Sequence, residues 1–112
     1  NVEILLMRTN AEEFARLGQL FGERLRAAKG PVSVLIPSLG MSQLIGCKTF
    51  DLAGNERGAW AQPETDRVFG ETLKRYLPTS AINELPYHIN DIGFADACAA
   101  EMIGMIRMRS NI

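Results

Sequence analysis

Cysteine and histidine are scarce in this chain: Cys47 and Cys98 are its two cysteines and His88 its one histidine. There is no C-x-x-C and no pair of histidines, which argues against the usual four-ligand zinc site. No metal is expected. A single bridge between Cys47 and Cys98 is conceivable, but nothing else marks a secreted chain. Long apolar runs are missing as well. Ile4-Leu5-Leu6-Met7 falls far short of the roughly 20 residues that span a bilayer, and no secretory signal is visible. A surplus of one charge is also absent. Twelve basic residues face thirteen acidic ones, for a net charge of -1, unlike the basic balance of a nucleic-acid-binding module. These absences predict a cytoplasmic protein with neither membrane nor nucleic acid as partner.

What is present is globular. Of 112 residues, 46% are hydrophobic and 22% charged, a composition that builds a core and does not stay disordered. The length allows one domain or part of one. Residues 1–112 therefore read as a single α/β unit.

Strand and helix patterns alternate. Residues 2–7 are short and mostly apolar, as in a buried strand. Thr9 followed by Glu12 forms a capping-box pattern that opens a helix through about residue 29, with Phe14, Leu17, Phe21 and Leu25 as its apolar stripe. Gly30-Pro31 ends it. Residues 32–36 are β-branched and apolar, a second strand. From 37 to about 62 the pattern fails, and glycines at 40, 46, 54 and 58 punctuate the region. A structureless stretch of that length is more often a functional or binding loop. Pro63 suits the first turn of a helix, and Phe69, Leu73, Tyr76 and Leu77 give that helix its stripe. Residues 81–85 form a weaker third strand. A last helix starts near Asp91, lined by Phe94, Cys98, Met102, Met105 and Ile106. Its methionines read as core or interface.

Strands separated by helices need crossovers, and crossovers imply a parallel sheet. The expected fold is a three-layer, Rossmann-like α/β unit with about three parallel strands alternating with three helices. Such sheets are covered on both faces. Three strands and three helices do this thinly, so further strands or a partner chain are expected to complete the sheet. Asn1, at a strand's threshold, reads as a cut end.

In open parallel sheets, ligands bind beyond the carboxyl ends of the strands. Three segments lie there: Arg8-Thr9-Asn10, the stretch from Pro37 to Ser42, and His88-Ile89-Asn90-Asp91. Each approaches a helix N-terminus, where free N–H groups favour an anion. The candidate ligand site is Arg8, Thr9, Gly40, Ser42, His88, Asn90 and Asp91. Arg8 would neutralise an anionic small molecule, and the Gly40–Ser42 turn would donate hydrogen bonds. His88 is the candidate catalytic residue, as a general base, a substrate donor or a lone metal ligand. The bland alternatives stay open: an ordinary turn at Gly40, a structural hydrogen-bonder at His88, a helix N-cap at Asp91. Glu64 and Asp66 read as dipole-stabilising residues. Trp60, with Phe50 nearby, reads as a contact surface or a loop anchor. The segment after Gly40 is neither a P-loop nor a nucleophile elbow, since no Gly-Lys-Ser/Thr follows and position 44 is Leu44.

Five segments occur in order: Leu6 to Glu13, Gly30 to Pro37, Gly40-Met41-Ser42, Pro63-Glu64-Thr65-Asp66, and His88 to Asp96. Together they resemble the C-terminal part of the Tm-one-like family of uncharacterised proteins. The resemblance covers nearly the whole chain, and His88-Ile89-Asn90-Asp91 with Phe94-Ala95-Asp96 is its most distinctive part. It implies a full protein several-fold longer, with two α/β domains, of which this chain is the distal half of the second. It also implies ATP binding by the full-length protein, through an N-terminal domain outside this segment. The rest of that chain is then the first partner, and a homo-oligomer is expected. Two function classes follow: a small-molecule, nucleotide or anion-binding domain, or a structural and interaction domain whose nucleotide site lies elsewhere.

Overall fold

The computed structural model describes residues 5–110. Three helices and four short strands make up this part of the chain: α1 (Ala11–Arg26), β1 (Val34–Pro37), β2 (Lys48–Phe50), β3 (Glu56–Ala59), α2 (Pro63–Leu73), β4 (Ile82–Leu85) and α3 (Ile92–Ser110). Single turns of 3₁₀-helix precede β2 (Gln43–Gly46) and β4 (Thr79–Ala81).

α1 begins one residue later than the capping-box pattern suggests. Asn10 is the cap. Its side chain accepts from the Glu13 amide at 2.8 Å, and the Glu13 carboxylate accepts from the Asn10 amide at 3.0 Å. Asparagine is among the strongest N-caps, so the reciprocal pair forms on Asn10 and Glu13 and displaces Thr9 and Glu12. α1 then packs on α2 through glycine. A Cβ on Gly18 would lie 2.7 Å from the Thr72 Cβ, and one on Gly22 would lie 2.6 Å from the Tyr76 Cβ. The two backbones therefore approach closely, and Phe21 meets Phe69 edge-on with ring centroids 5.4 Å apart. The buried face of α1 thus runs along Gly18 and Gly22, while Leu17 and Phe21 are exposed.

The sheet departs from expectation. β1 and β4 pair in parallel, Val34 opposite Ile82 through Pro37 opposite Leu85. The described residues hold no third parallel strand. Residues 2–4 of the first expected strand lie outside the described residues, and Leu5, Leu6 and Met7 are exposed and join no ladder. A buried strand needs cover on both faces, and these residues have none here. The stretch from 37 to 62 is also more structured than its pattern suggests. β2 and β3 form an antiparallel hairpin. Its strands are short, largely exposed and polar, with no apolar run to announce them. Gly54 at φ +87° and Gly58 at φ +105° supply backbone that other residues rarely adopt.

α2 is part of the connection between β1 and β4, and Gly70 lets it sit on the Ile36 side chain. Leu73, Leu77 and Phe94 form the buried apolar core. The remaining helix, α3, is largely exposed beyond Phe94. The molecule measures 60 × 29 × 25 Å with a radius of gyration of 16.8 Å, against about 13 Å for a compact domain of similar length. Among the described residues, no helix is long and apolar enough to cross a membrane.

Candidate functional site

The carboxyl ends of β1 and β4 continue their pairing into the loops that follow. Ser38 N–H donates to the Leu85 carbonyl, Leu39 N–H to that of Tyr87, and Ile89 N–H to that of Gly40, at 2.9, 3.0 and 2.9 Å. Gly40 and His88 thereby lie side by side. Gly40 has φ +136°, and a Cβ there would meet the Ile45 side chain at 2.4 Å and the His88 ring at 3.0 Å. Only glycine fits.

His88 is held on every side. The Asn90 amide donates to Nδ1 at 3.1 Å, so Nδ1 carries the lone pair. Nε2 is then the protonated nitrogen, and it donates to the Ser42 carbonyl at 2.9 Å. The His88 amide donates to the Asp91 carboxylate at 2.8 Å. The neutral ring has no nitrogen left over. Ser42 is similarly engaged: its hydroxyl accepts from the Leu44 amide at 3.1 Å and caps the following 3₁₀ turn. Four of the sequence-derived candidates, Ser42, His88, Asn90 and Asp91, thus build one hydrogen-bonded corner against Gly40.

Arg8 and Thr9 reach the same edge from the other side. The Arg8 guanidinium pairs with the Asp66 carboxylate in the first turn of α2 and donates to the Gln62 carbonyl at 3.1 Å. Between this pair and the corner lies a recess of about 250 Å³, lined by Arg8, Thr9, Gly40, Ser42, Trp60 and Asp66 among others. A second lobe of about 120 Å³ is lined by Ile36, Leu39, Pro63 and Gly70 among others. Gly40, Met41, Ile45, Ala61 and Asp66 line both lobes. Asn90 and Asp91 line neither. His88 stands behind Gly40.

Two atoms in this region are conspicuous. Arg8 Nε and Trp60 Nε1 are buried and have no hydrogen-bond partner among the described residues. Buried donors are rarely left unpaired, and each specific case calls for an explanation such as a water or ion. Sequence reasoning took Trp60 as a surface or anchor and Asp66 as a dipole residue, and so missed both as recess walls. The available signal was position: Trp60 lies just before a proline-initiated helix, and Asp66 lies in its first turn. Both cysteines are free. Among the described residues no group of three or more His, Cys, Asp or Glu is placed to hold a metal ion.

The family model described as "Uncharacterised protein family (UPF0261) C-terminal domain" matches residues 1–106. Similar curated proteins include a UPF0261 protein of Mesorhizobium japonicum, 39% identical over 103 residues that cover 89% of this chain and 24% of that protein. A UPF0261 protein of Clostridium tetani is 32% identical over 108 residues, covering 95% of this chain and 24% of its own length. The ToMV resistance protein Tm-1 of Solanum lycopersicum is 31% identical over 100 residues, 87% of this chain and 12% of that protein. The chain therefore spans about a quarter, or less, of the length of these relatives.

Proposed function

This chain belongs to the UPF0261 family, matching its C-terminal domain, and from that premise we propose that it supplies one wall of a small-molecule pocket at the carboxyl edge of β1 and β4. The observation that carries this reading is the recess at that edge, about 250 Å³ in one lobe and 120 Å³ in the other, walled by the paired Arg8 and Asp66. Concave, mostly apolar sites with a few convergent polar groups are the usual form of small-molecule pockets, and crevices beyond strand carboxyl ends are their usual place in α/β sheets. The Gly40–Ser42 turn, buttressed by His88 and Asp91, shapes one side. Arg8 and Thr9 form the other. No catalytic step is assigned, because neutral His88 spends both ring nitrogens on backbone groups. The free cysteines accord with a cytoplasmic setting. Calorimetry of the full-length protein with a metabolite panel tests the reading. A ligand whose binding is lost in Arg8→Ala supports it. Absence of any binding, or binding indifferent to that change, overturns it.

A second reading concerns the other end of the molecule. Apart from Asp96, Glu101, Arg107 and Arg109, α3 is mostly apolar and small with no single apolar face, yet Met102, Ile103 and Met108 are exposed at 58%, 48% and 75%. A helix with large apolar side chains distributed around it and left exposed is suited to packing against more protein. We infer that α3 docks on the remainder of the full-length chain, where any nucleotide site would also lie, or on a second subunit of it. Met102→Glu tests this. In the full-length protein, a clear fall in melting temperature is expected, because a charge would be buried without a partner. An unchanged melting temperature would contradict it.

A further inference from the structure

The two strands of the parallel pair differ in composition. β1 is Val34-Leu35-Ile36-Pro37, an apolar run, whereas β4 is Ile82-Asn83-Glu84-Leu85, polar at its centre. A near-continuous apolar run is the sequence of an interior strand in a parallel sheet, flanked by strands and covered on both faces. A charged residue with a proline close by is how an edge strand is kept from pairing further. β4 fits the second description, since Glu84 is exposed and Pro86 follows the strand. β1 has the interior composition, yet β4 is its one neighbour among the described residues. Val34, Leu35 and Ile36 are accordingly only half-buried.

The ladder fixes which backbone groups of β1 lack a partner. Along a strand, successive residues direct their N–H and C=O to opposite sides. Ser38 N–H donates to the Leu85 carbonyl at 2.9 Å, so Val34 and Ile36, in phase with Ser38, face β4. Leu35 turns its N–H and C=O the other way, where no strand lies among the described residues. Pro37 shares that outward phase but has no N–H, and its carbonyl accepts from Gly40 N–H at 3.3 Å. The open edge is therefore centred on Leu35 and stops at Pro37.

We propose that this edge of β1 is an interaction surface that pairs with an apolar β-strand from the remainder of the full-length polypeptide. This chain spans 24% of the length of each of two UPF0261 relatives, so most of such a polypeptide lies outside it. The added strand accepts from Leu35 N–H, donates to the Leu35 carbonyl and covers the flank of Val34, Leu35 and Ile36. β1 becomes an interior strand, and β4 stays at the edge. The inference is independent of the recess.

The experiment is residue-resolved amide exchange of the full-length protein by NMR, joined to a search for through-hydrogen-bond coupling to the Leu35 amide. The Leu35 amide is expected to exchange about a hundredfold more slowly than that of Glu84, and to couple to a carbonyl outside residues 1–112. Leu35→Pro and Glu84→Pro each remove one outward N–H and no β1–β4 bond. Leu35→Pro is expected to lower the melting temperature more than Glu84→Pro does, and Leu35→Ala, which keeps the N–H, is expected to leave the coupling in place. The exchange comparison needs no variant, so it decides the matter even if Leu35→Pro fails to fold. A Leu35 amide that exchanges as fast as that of Glu84, or is protected without the coupling, overturns the inference. Protection lost on dilution, as a dimer dissociates in sedimentation, overturns it in favour of a second copy. Equal effects of the two prolines overturn it as well, since the two edges would then be equivalent.

Discussion

Two clusters of polar residues share the carboxyl edge of the parallel pair, and they differ in one respect. In the corner around His88, every polar group considered above has a partner: the ring bridges Asn90 and Ser42, and Asp91 holds the His88 amide. In the recess a few residues away, Arg8 and Trp60 each keep a buried donor with none. The first cluster is complete as folded; the second is not. The difference separates residues whose polar groups are spent on the corner from residues that wall the recess, although both sets carry the chemistry that sequence reasoning looks for.

Substitutions in the corner should therefore cost stability, and those in the recess should cost binding. The largest effect is expected at Gly40. Gly40→Val forces a β-branched residue into φ +136° and drives its side chain into Ile45 and His88. Backbone strain and overpacking together predict a loss of roughly 3 kcal/mol or more, measured by denaturant unfolding of the full-length protein. A loss under about 1 kcal/mol would mean that the corner is not the rigid element described. His88→Ala comes next. It strands the Ser42 carbonyl and the Asn90 amide, for an expected loss of about 1–3 kcal/mol in the same assay. Restoration by a residue that can bridge only one of the two groups would show that the other bond is dispensable.

The smallest effect lies away from both clusters, at the tip of the β2–β3 hairpin. Asp51 accepts from the amides of Asn55 and Ala53, from the Asn55 side chain and from Arg57. The Asn55 amide above all, helped by the Asn55 and Arg57 side chains, holds its carboxyl below the ordinary value of 3.8. Its contribution is fully present above that value and is lost as pH falls through the lowered folded value. The Asn55 amide resonance should follow that acid transition, and Asp51→Asn should abolish it without touching the recess. A transition above 3.8 would reverse the sign of the argument.

Much of the helical order was legible, for physical reasons. Pro63 at the start of α2 and Gly30-Pro31 after α1 act locally, through φ and missing donors. The capping box was visible but displaced by one residue, because Asn10 and Thr9 are both competent caps. The apolar stripe of α1 pointed to Leu17 and Phe21, and Phe21 does meet Phe69 of α2, but the close backbone approach runs through Gly18 and Gly22. A glycine contact leaves no hydrophobic mark on a sequence, since what it contributes is room. The hairpin was invisible because its strands are polar and its turns rely on two glycines. The candidate residues from Gly40 to Ser42 and from His88 to Asp91 were found by topology. The recess was not, because its walls at Trp60 and Asp66 join Arg8 from 52 and 58 residues away, and no local pattern reports such a gathering.

The contrast between a closed corner and an open recess reduces to one titration. The ligand found in the metabolite panel is added to the full-length parent protein, to Asp51→Asn and to Arg8→Ala, with the heat of binding recorded for each. The account predicts that Asp51→Asn, away from the recess, binds like the parent, and that Arg8→Ala loses binding. Binding untouched by Arg8→Ala would contradict it.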